Sequence, residues 1–468
     1  MSFDQYQSPF SWRYGTPEMR AIWSEEHKRL LWRRIWLALA EVQAEYGLVS
    51  PNQIEDLRAN AGKLDIARSF AIEKEIQHDL MAELRTFAEQ AAAGGKILHL
   101  GATSADIEDN ADALRMKEAV ALLLGEIRDL LRSVSNQIER WAETPIIALT
   151  HLQPAEPSTL GYRLAVSGQD WLASYQEISR LEIRGKGFKG AVGSGAAYSQ
   201  LIGVQNADGF EKKLSQRLDL PFYPVTGQVY PRSQDYNVVS SLALLGASLN
   251  KFAFDLRLLQ SPYIGELAEP FGQSQVGSSA MPFKRNPVHS EKIDSLGRVL
   301  AGYPRIAWDN AAQSLFERTL DDSASRRVLL PESFLACEEM VRTTRRNLDG
   351  LQVNLNAIQS NLERFAPFTA AESILMAVSS AGGDRQRFHE LLRQHAMTAW
   401  EHVQAGEPNP YFDLIRRDAE FHDYLSDEDI SRLTDAETQV GFAASRARQL
   451  AGQIRTELAS SKDQQQAR

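Results

Sequence analysis

The sequence predicts an all-α fold built around long amphipathic helices. Between Met116 and Trp141, apolar residues recur at spacings of three and four, which is the pattern of a long helix with a coiled-coil-like apolar seam. Between Leu242 and Leu259 the same spacing continues without a miss. A further long helix is expected from about 158 to 184. Three such helices imply a long bundle, and seams of this length commonly pair with other chains as well as within one.

The N-terminal region also has helical patterns. Residues 16–18, Thr-Pro-Glu, are typical of a helix start, and the helical segment that follows ends at Gly47. A second helix is expected from about 70 to 92, and it carries His78 and Asp79. A His-Asp pair on a helix is more often structural than catalytic. The pair therefore gains a functional interpretation only if it meets, in space, the polar loop at 269–291 that is described below.

Two polar connections follow these helices. His99, Thr103 and Ser104 precede the first long helix, where small hydroxyl groups either cap the helix or hold an anion at its N-terminus. Further along, residues 185–200 read GKGFKGAVGSGAAYSQ. This glycine-rich segment matches neither the Walker A motif nor the GxGxxG dinucleotide motif, and no strand pattern precedes it, so we do not interpret it as a phosphate loop.

Two more connections carry candidate site residues. Residues 144–161 contain three prolines that interrupt the helices, and they hold Thr150 and His151. The connection before the third long helix carries Gln228 and Arg232. Prolines cannot continue a helix without losing a hydrogen bond, so both segments are expected to lie outside the bundle helices.

The segment Glu269–Glu291, EPFGQSQVGSSAMPFKRNPVHSE, is typical of a mobile loop that carries chemistry. Ser278, Ser279, Lys284 and Asn286 place a possible proton acceptor, a cation and an amide within nine residues. These groups can bind a carboxylate and move a proton beside it. Gly, Ser, Asn and Pro are also ordinary turn residues. Each residue alone therefore favours a surface turn, whereas the set favours a functional loop.

A fourth helix is expected from near Val288, broken around Pro304. The segment after it is rich in arginine. Its guanidinium groups either balance the two aspartates at 321–322 or form a clamp for a phosphate or a carboxylate. The candidate clamp residues are Arg318, Ser323, Arg326 and Arg327.

Composition narrows the classes of function. The 468 residues include 51 basic and 61 acidic side chains, and the net charge of −10 argues against nucleic acid as a partner. The single cysteine, Cys337, excludes an intrachain disulfide framework and a CxxC metal site, so a cytoplasmic setting is expected. No apolar run is long enough to span a membrane. No metal-ligand spacing is present either, and we expect no metal.

The motif GSSAMPFKRNP resembles the signature of the fumarase/aspartase superfamily, whose members eliminate across a succinyl group. Four further blocks resemble the adenylosuccinate lyases within that superfamily, and the similarity covers nearly the whole chain, weakest in the last hundred residues. The four blocks are RYGTPEMRAIWSEE, HLGATSADIEDNAD, THLQPAEPSTLG and FERTLDDSASRR.

The resemblance implies a fumarase/aspartase-like, all-α fold of three helical domains. They would comprise an N-terminal domain at 1–105, a central long-helix bundle with the signature loop at 106–353, and a C-terminal domain at 354–468. It also implies a homotetramer in which each active site is shared between subunits. The apolar seams, found independently, agree with such an assembly.

The resemblance also assigns roles to residues. Ser278 matches the catalytic base, His151 the general acid, and Glu291 a carboxylate that pairs with and orients this histidine. Lys284 and Asn286 match residues that bind the succinyl carboxylates. The residues matching the phosphate end of a nucleotide are Arg13, Tyr14, Ser323 and Arg327. The other residues that match the substrate site are His78, Asp79, His99, Thr103, Ser104, Thr150, Gln228, Lys292 and Arg318.

Three positions depart from the family pattern. Gln77 stands where relatives usually carry arginine, Lys292 where some have arginine, and Phe283 where tyrosine or histidine is usual. The departures concern substrate binding more than the reaction.

The activity implied is that of a carbon–nitrogen lyase. It would release fumarate by β-elimination from adenylosuccinate, leaving AMP, and from succinylaminoimidazole carboxamide ribotide (SAICAR), leaving AICAR, in purine biosynthesis and without a cofactor. The alternative enzyme is another fumarate-releasing lyase such as argininosuccinate lyase, which needs no phosphate clamp. The alternative without activity is a helical scaffold, against which the retention of Ser278, His151, Lys284 and Glu291 argues.

Overall fold

The computed structural model of the chain describes residues 4–434 and 439–466, with side chains through residue 460. The structure is 68% helical, and the predicted all-α class is confirmed. The α-helices in these residues are α1 (Pro17–Ile22), α2 (Glu25–Ala44), α3 (Pro51–Asn60), α4 (Ile66–Ile76), α5 (Asp79–Gln90), α6 (Ser104–Arg140), α7 (Leu160–Ser179), α8 (Ala196–Ile202), α9 (Ala207–Leu218), α10 (Ser233–Leu259), α11 (Val288–Ala312), α12 (Asp322–Asp349), α13 (Leu355–Ser380), α14 (Arg385–Gln404), α15 (Tyr411–Arg417), α16 (Ala419–His422), α17 (Asp427–Leu433) and α18 (Ala443–Gln466).

Short elements connect these helices. Turns of 3-10 helix cover Pro9–Ser11, Gly94–Ile97 and Val204–Asn206. The strands are β1 (Pro145–Thr150), β2 (Gln153–Thr159), β3 (Leu267–Ala268) and β4 (Gln352–Val353), paired antiparallel as β1 with β2 and β3 with β4.

The three long helices predicted from apolar spacing are present as α6, α7 and α10. Helix α6 is 37 residues long, and Met116, Leu123 and Ile127 of its seam are fully buried. In α10 the seam residues Leu242 and Leu245 are likewise fully buried. The three-four spacing places these side chains on one face of a helix, and burial of that face is what stabilises helices of this length.

Several helix boundaries differ from the prediction. The single helix expected from 70 to 92 is divided into α4 and α5, because Gln77 adopts a left-handed conformation (φ 54°) and the His78 side chain caps α5. The break expected around Pro304 was wrong, since α11 continues through that residue. A proline removes one backbone donor, and the rest of the α11 ladder holds the helix together.

Residues 144–161 were expected only to interrupt the helices, and they form the β1–β2 hairpin instead. The register pairs Ile146 with Ser158 and Thr150 with Gln153, with an irregularity between Ile147 and Leu149. The prolines of β2 are tolerated because a two-stranded ladder leaves one edge of each strand unpaired.

The chain divides into two compact units. The first unit comprises Met1–Glu126, Ser174–Ala247 and Ser295–Met340. In its core, Arg33 Nε lies 2.7 Å from a carboxylate oxygen of Glu83, and both side chains are fully buried. The predicted domain division at 1–105, 106–353 and 354–468 stays a prediction.

The second unit comprises Ile127–Ala173, Ser248–Asp294 and Val341–Arg468. An apolar cluster of buried residues lies among α13–α17, where Phe388 packs edge-on against Phe421 with ring centroids 5.0 Å apart. Of the helices in residues 4–434 and 439–466, none combines the length and apolar character that crossing a membrane requires.

Candidate functional site

The predicted site residues fall into two sets, one in each unit. Those matched to the nucleotide end lie in the first unit, together with His78, Asp79, His99, Thr103, Ser104, Gln228 and Arg318. The residues matched to proton transfer and to the succinyl group lie in the second unit, together with Thr150 and Lys292. The matched residues are Ser278, His151, Lys284, Asn286 and Glu291.

A cleft of ≈ 160 Å³ in the first unit brings together four of the residues that the family resemblance assigns to the substrate site. Asp79, at the start of α5, faces Arg318, Ser323 and Arg327, which lie just before α12 and in its first turns. We call it the arginine cleft, because four further cations also line it. They are Lys28, Arg115, Arg232 and Arg326.

The arginines of this cleft are held by carboxylates. Arg327 Nη2 lies 2.9 Å from Asp79 Oδ2, and Arg318 Nη1 lies 2.9 Å from Asp322 Oδ1. The prediction that the arginines balance the aspartates therefore holds for Arg318. Burial alone would raise the pKa of Asp79, but the charge of Arg327 and the Leu80 N–H outweigh it and the pKa is lowered.

Arg326 and Arg232 are the buried supports of the cleft. Arg326 Nε donates to Asp235 at 2.7 Å, and Arg232 donates to both oxygens of Asp109 at 2.9 and 3.1 Å. Bidentate pairs of this kind fix the planar guanidinium group. Arg326, predicted as a clamp residue, thus has a packed partner, whereas the side chain of Arg327 is 61% exposed.

His78 and His99 are positioned by neighbouring elements of the first unit. The His78 Nε2 atom lies 3.4 Å from Ser104 Oγ. Trp36 Nε1 donates to His99 Nδ1 at 3.1 Å. Since Nδ1 accepts this bond, Nε2 of His99 carries the proton in the neutral ring. Burial lowers the pKa of His99.

The N-terminus of α6 is fixed by a residue that the sequence analysis missed. The buried Asp106 carboxylate accepts from the Thr103 N–H at 3.0 Å and from the Gly190 N–H at 3.2 Å, and it pairs with the buried Lys186. These bonds tie the glycine-rich segment to the turn that carries Thr103. A carboxylate two positions after Ser104, at the start of a helix, is the sequence feature that could have revealed it.

Glu108 was missed as well. It lines the arginine cleft together with Asp109 and Asp112 from the same helix. Burial first, and then the charges of Asp79, Asp109 and Asp112, raise the pKa of Glu108 to about 7. The spacing of 108, 109 and 112 places these residues on one helix face, which the sequence alone could have indicated.

Arg13, Tyr14 and Gln228 lie outside the lining of the arginine cleft. The backbone N–H groups of Arg13 and Tyr14 donate to the Pro9 carbonyl in the turn before α1. The Gln228 N–H donates to the Glu317 carbonyl at 2.9 Å. The structure therefore does not gather these three residues with the clamp.

In the second unit, the Ser278 hydroxyl sits in a turn of the loop at 269–291. Its Oγ accepts from the backbone N–H groups of Met281 at 3.1 Å and Ala280 at 3.4 Å. Asn286 Nδ2 donates to the Gly277 carbonyl at 3.0 Å and closes this turn. The Lys284 side chain is exposed.

Glu269, a buried residue, attaches the start of this loop to α11. Its carboxylate accepts from the backbone N–H groups of His289 and Ser290 and from the Ser290 hydroxyl, each at 3.0 Å. A carboxylate at a helix N-terminus satisfies otherwise unpaired donors and favours the positive end of the helix dipole. The sequence indicates Glu269 only as the boundary of this loop and gives no sign of its role.

His151 lies at the tip of the β1–β2 hairpin and is exposed. His151 and Leu152 form its two-residue turn with φ of 54° and 58°, the conformation of a type I′ turn. Thr150 pairs with Gln153 across the base of this turn. Positive φ is strained for a histidine and a leucine, so the tip has a specific conformation that presents His151 to solvent.

Glu291 lies in the first turn of α11, and Lys292 follows it. Glu291 Oε1 is 3.9 Å from Arg257 Nη2, and within residues 4–434 and 439–466 its carboxylate forms no hydrogen bond with His151. The predicted pair of His151 and Glu291 is therefore not formed within one chain. In the same part of the chain, no group of three or more His, Cys, Asp or Glu side chains is placed to hold a metal ion.

Comparison with known proteins identifies the family. Residues 14–302 match a family model described as "Lyase", and residues 367–449 match one described as "Adenylosuccinate lyase C-terminus". An adenylosuccinate lyase of Schistosoma mansoni is 36% identical over 428 residues, which cover 90% of this chain and 89% of that protein. That of Pyrococcus abyssi is 35% identical over 435 residues, covering 91% and 93%.

Solved structures agree with the fold. A fumarate lyase from Mesorhizobium sp. BNC1 superposes with a TM-score of 0.82 at 23% identity, covering 96% of this chain and 99% of that one. A 3-carboxy-cis,cis-muconate lactonizing enzyme from Pseudomonas putida gives 0.84 at 24% identity, covering 96% and 100%. From its sequence relatives and family models, this chain belongs to the adenylosuccinate lyase family of the fumarase/aspartase superfamily, as its motifs predict.

Proposed function

We propose that this protein releases fumarate by β-elimination from adenylosuccinate, giving AMP, and from SAICAR, giving AICAR. Membership of the family supports the reaction. The observation that favours a nucleotide is the arginine cleft, where Ser323 and the exposed guanidinium group of Arg327 lie together. Guanidinium and hydroxyl donors suit a phosphate, and argininosuccinate has no phosphate to occupy them.

Ser278 is the proposed base, which removes a proton from the succinyl carbon beside a carboxylate. Its Oγ already accepts two backbone N–H groups. Donors that point at this oxygen stabilise the negative charge that it carries once its own proton has left. Lys284 and Asn286, on the same loop, are proposed to bind the carboxylates and to stabilise the charge that develops on them.

His151 is the proposed acid, which protonates the departing nitrogen, with Glu291 orienting its ring. A histidine can hold and release a proton near neutral pH. Its exposed place at a hairpin tip suits a group that is presented to a substrate. The remaining predicted residues are proposed to contact the substrate. They are Arg13, Tyr14, His78, Asp79, His99, Thr103, Ser104, Thr150, Gln228, Lys292, Arg318, Ser323 and Arg327.

We further propose a homotetramer of three-domain subunits (1–105, 106–353 and 354–468) with active sites shared between subunits. In support, Leu244 and Phe254 on α10 are 53% and 52% exposed, although they are large and apolar. His151 and Glu291, which the family pairs, are both exposed and are not joined within the chain. A partner subunit would cover Leu244 and Phe254, and it would supply the contact that His151 and Glu291 lack within the chain.

With a single cysteine, the chain suits the reducing cytoplasm, which we propose as its compartment.

The test is absorbance of the purified protein with adenylosuccinate and SAICAR, with argininosuccinate in parallel. Turnover of the two nucleotides alone is the expected result. Fumarate release from argininosuccinate alone would contradict the proposal.

Light scattering tests the assembly, and mixing Ser278→Ala chains with His151→Ala chains tests the shared sites. If each site takes these residues from different subunits, exchange restores part of the activity. No recovery after proven exchange would contradict shared sites.

A further inference from the structure

Glu108 is an unusual residue in the arginine cleft, because it lines the cleft, is only partly buried as a residue, and forms no hydrogen bond within the described part of the chain. It lies in the second turn of α6, and no established role accounts for it. The neighbouring carboxylates are bound: Asp79 pairs with Arg327 at 2.9 Å, and Asp109 pairs with Arg232 at 2.9 Å. Glu108 is thus a carboxyl group whose donor or acceptor capacity is available to a ligand.

The charges around Glu108 come from five parts of the first unit. Of the described side chains that line the cleft, six are cationic and five, counting Glu108, are carboxylic. The other charged groups are Glu25 and Lys28 of α2, Asp79 of α5, Asp109, Asp112 and Arg115 of α6, Arg232 before α10, and Arg318, Arg326 and Arg327 at α12 and just before it.

The protonation state of Glu108 sets the charge balance of the cleft. With Glu108 ionised, the lining carries one excess positive charge, and with Glu108 neutral it carries two. A phosphate monoester is a dianion above pH of about 6. Asp322 and Asp235, behind the lining, also pair with the cleft arginines Arg318, Arg232 and Arg326. Neutral Glu108 therefore removes a negative charge that would repel the phosphate dianion, whereas ionised Glu108 keeps that charge.

The hydrogen-bonding capacity of the Glu108 carboxyl group also favours its neutral form beside a phosphate. A protonated carboxyl donates one O–H hydrogen bond, whereas an ionised carboxylate can only accept, and phosphate oxygens need donors. Burial and three nearby carboxylates already raise the pKa of Glu108 to about 7, and a bound dianion would raise it further, because like charges disfavour ionisation.

We infer that Glu108 binds the phosphate end of the nucleotide as a neutral carboxyl group, donating its O–H to a phosphate oxygen, and that binding takes up a proton from solvent at this side chain. The inference rests on the proposed function, since it places the phosphate in the arginine cleft. It makes Glu108 a residue that selects for phosphorylated ligands and weakens their binding as pH rises above neutrality.

The experiment is calorimetric titration of the full-length protein with AMP, in phosphate-free buffers that differ in ionisation enthalpy. At pH of about 7.5 we expect uptake of about half a proton or more per AMP, and affinity about tenfold lower at pH of about 8.5 than at about 7. Free AMP, whose second phosphate pKa is about 6, is already about nine-tenths dianionic at pH 7, so it accounts for only a small part of this change. Adenosine, which lacks the phosphate, should show no uptake.

Two variants assign the proton. Glu108→Gln keeps a neutral donor, so it should bind AMP with little dependence on pH and take up no proton. Glu25→Gln, which removes another carboxyl group of the same cleft, should keep the proton uptake. Because uptake is measured on the unaltered protein first, the inference does not depend on the folding of either variant.

The outcomes separate the inference from the proposed function. Turnover of adenylosuccinate together with AMP binding that takes up no proton would overturn the inference alone, as would equal uptake by Glu108→Gln. Failure to bind AMP, together with no turnover of adenylosuccinate, would overturn both.

Discussion

Arg327 donates to Asp79 across the arginine cleft, with 2.9 Å between Nη2 and Oδ2. The arginine is 61% exposed and the aspartate 14%. An ion pair with this much solvent exposure contributes little to the stability of the fold. Its importance lies in the guanidinium group that it holds at the cleft. Arg327 is held in place by Asp79 and still has donors directed at the cleft.

Arg327→Met should weaken binding of the nucleotide more than it slows the reaction. Loss of a charge-assisted bond to phosphate should raise KM for adenylosuccinate by about 10- to 100-fold, with a smaller effect on kcat. Steady-state kinetics measures both. Arg387→Met is the control, because Arg387 pairs with Glu420 in the second unit and is similarly exposed, and it should leave KM unchanged. An equal change in both variants would contradict the role of Arg327.

Ser278→Ala should remove the base and lower kcat by a factor of about 100 to 10,000, with the melting temperature unchanged because the hydroxyl lies in an exposed loop. Ser279→Ala is the matched control, one residue away, and its kcat should change only a few-fold. Single-turnover measurement of fumarate release follows the chemical step directly. A larger loss of kcat in Ser279→Ala would show that Ser279, and not Ser278, is the base.

The long helices could be predicted because their information is local. The spacing of apolar residues in α6 and α10 is set by the helix period alone, and burial of Leu123 and Leu245 follows from it. The β1–β2 hairpin could not be predicted in this way. Its strands are short, and an apolar run such as residues 145–149 has the same composition in a strand and in a buried helix.

The site was only partly predictable for a similar reason. Motifs indicated Arg318, Ser323 and Arg327, and the structure does place them with Asp79. Glu108 had no motif. The raised pKa of Glu108 depends on charged side chains that α5 and α12 place near it. The spacing of residues along one segment cannot reveal such neighbours.

His99 should make the protein less stable in mild acid. Burial lowers its pKa, so the folded state disfavours the proton that the unfolded chain binds near pH 6.5. The contribution of the neutral His99 ring to the stability of the folded state is therefore complete above about pH 6.5 and is lost as pH falls below this value. Between pH of about 7.5 and 5.5, thermal unfolding of His99→Asn should show a smaller decrease in melting temperature than the unaltered protein. The exposed His422, replaced by Asn, is the control and should show the full decrease.

Gly277 should be required for the conformation of the loop that carries Ser278. A Cβ built on Gly277 would lie 2.1 Å from the Lys284 carbonyl oxygen, a backbone atom that cannot move aside without opening the turn. Gly277→Ala should therefore displace Ser278 from its two N–H donors and lower kcat by about 100-fold. Gly272→Ala is the matched control in the same loop, since its Cβ would meet nothing nearer than 3.8 Å, and it should keep nearly full activity. Both variants should unfold at the temperature of the parent protein. Comparable activity of the two alanine variants would show that the geometry of this turn does not position the base.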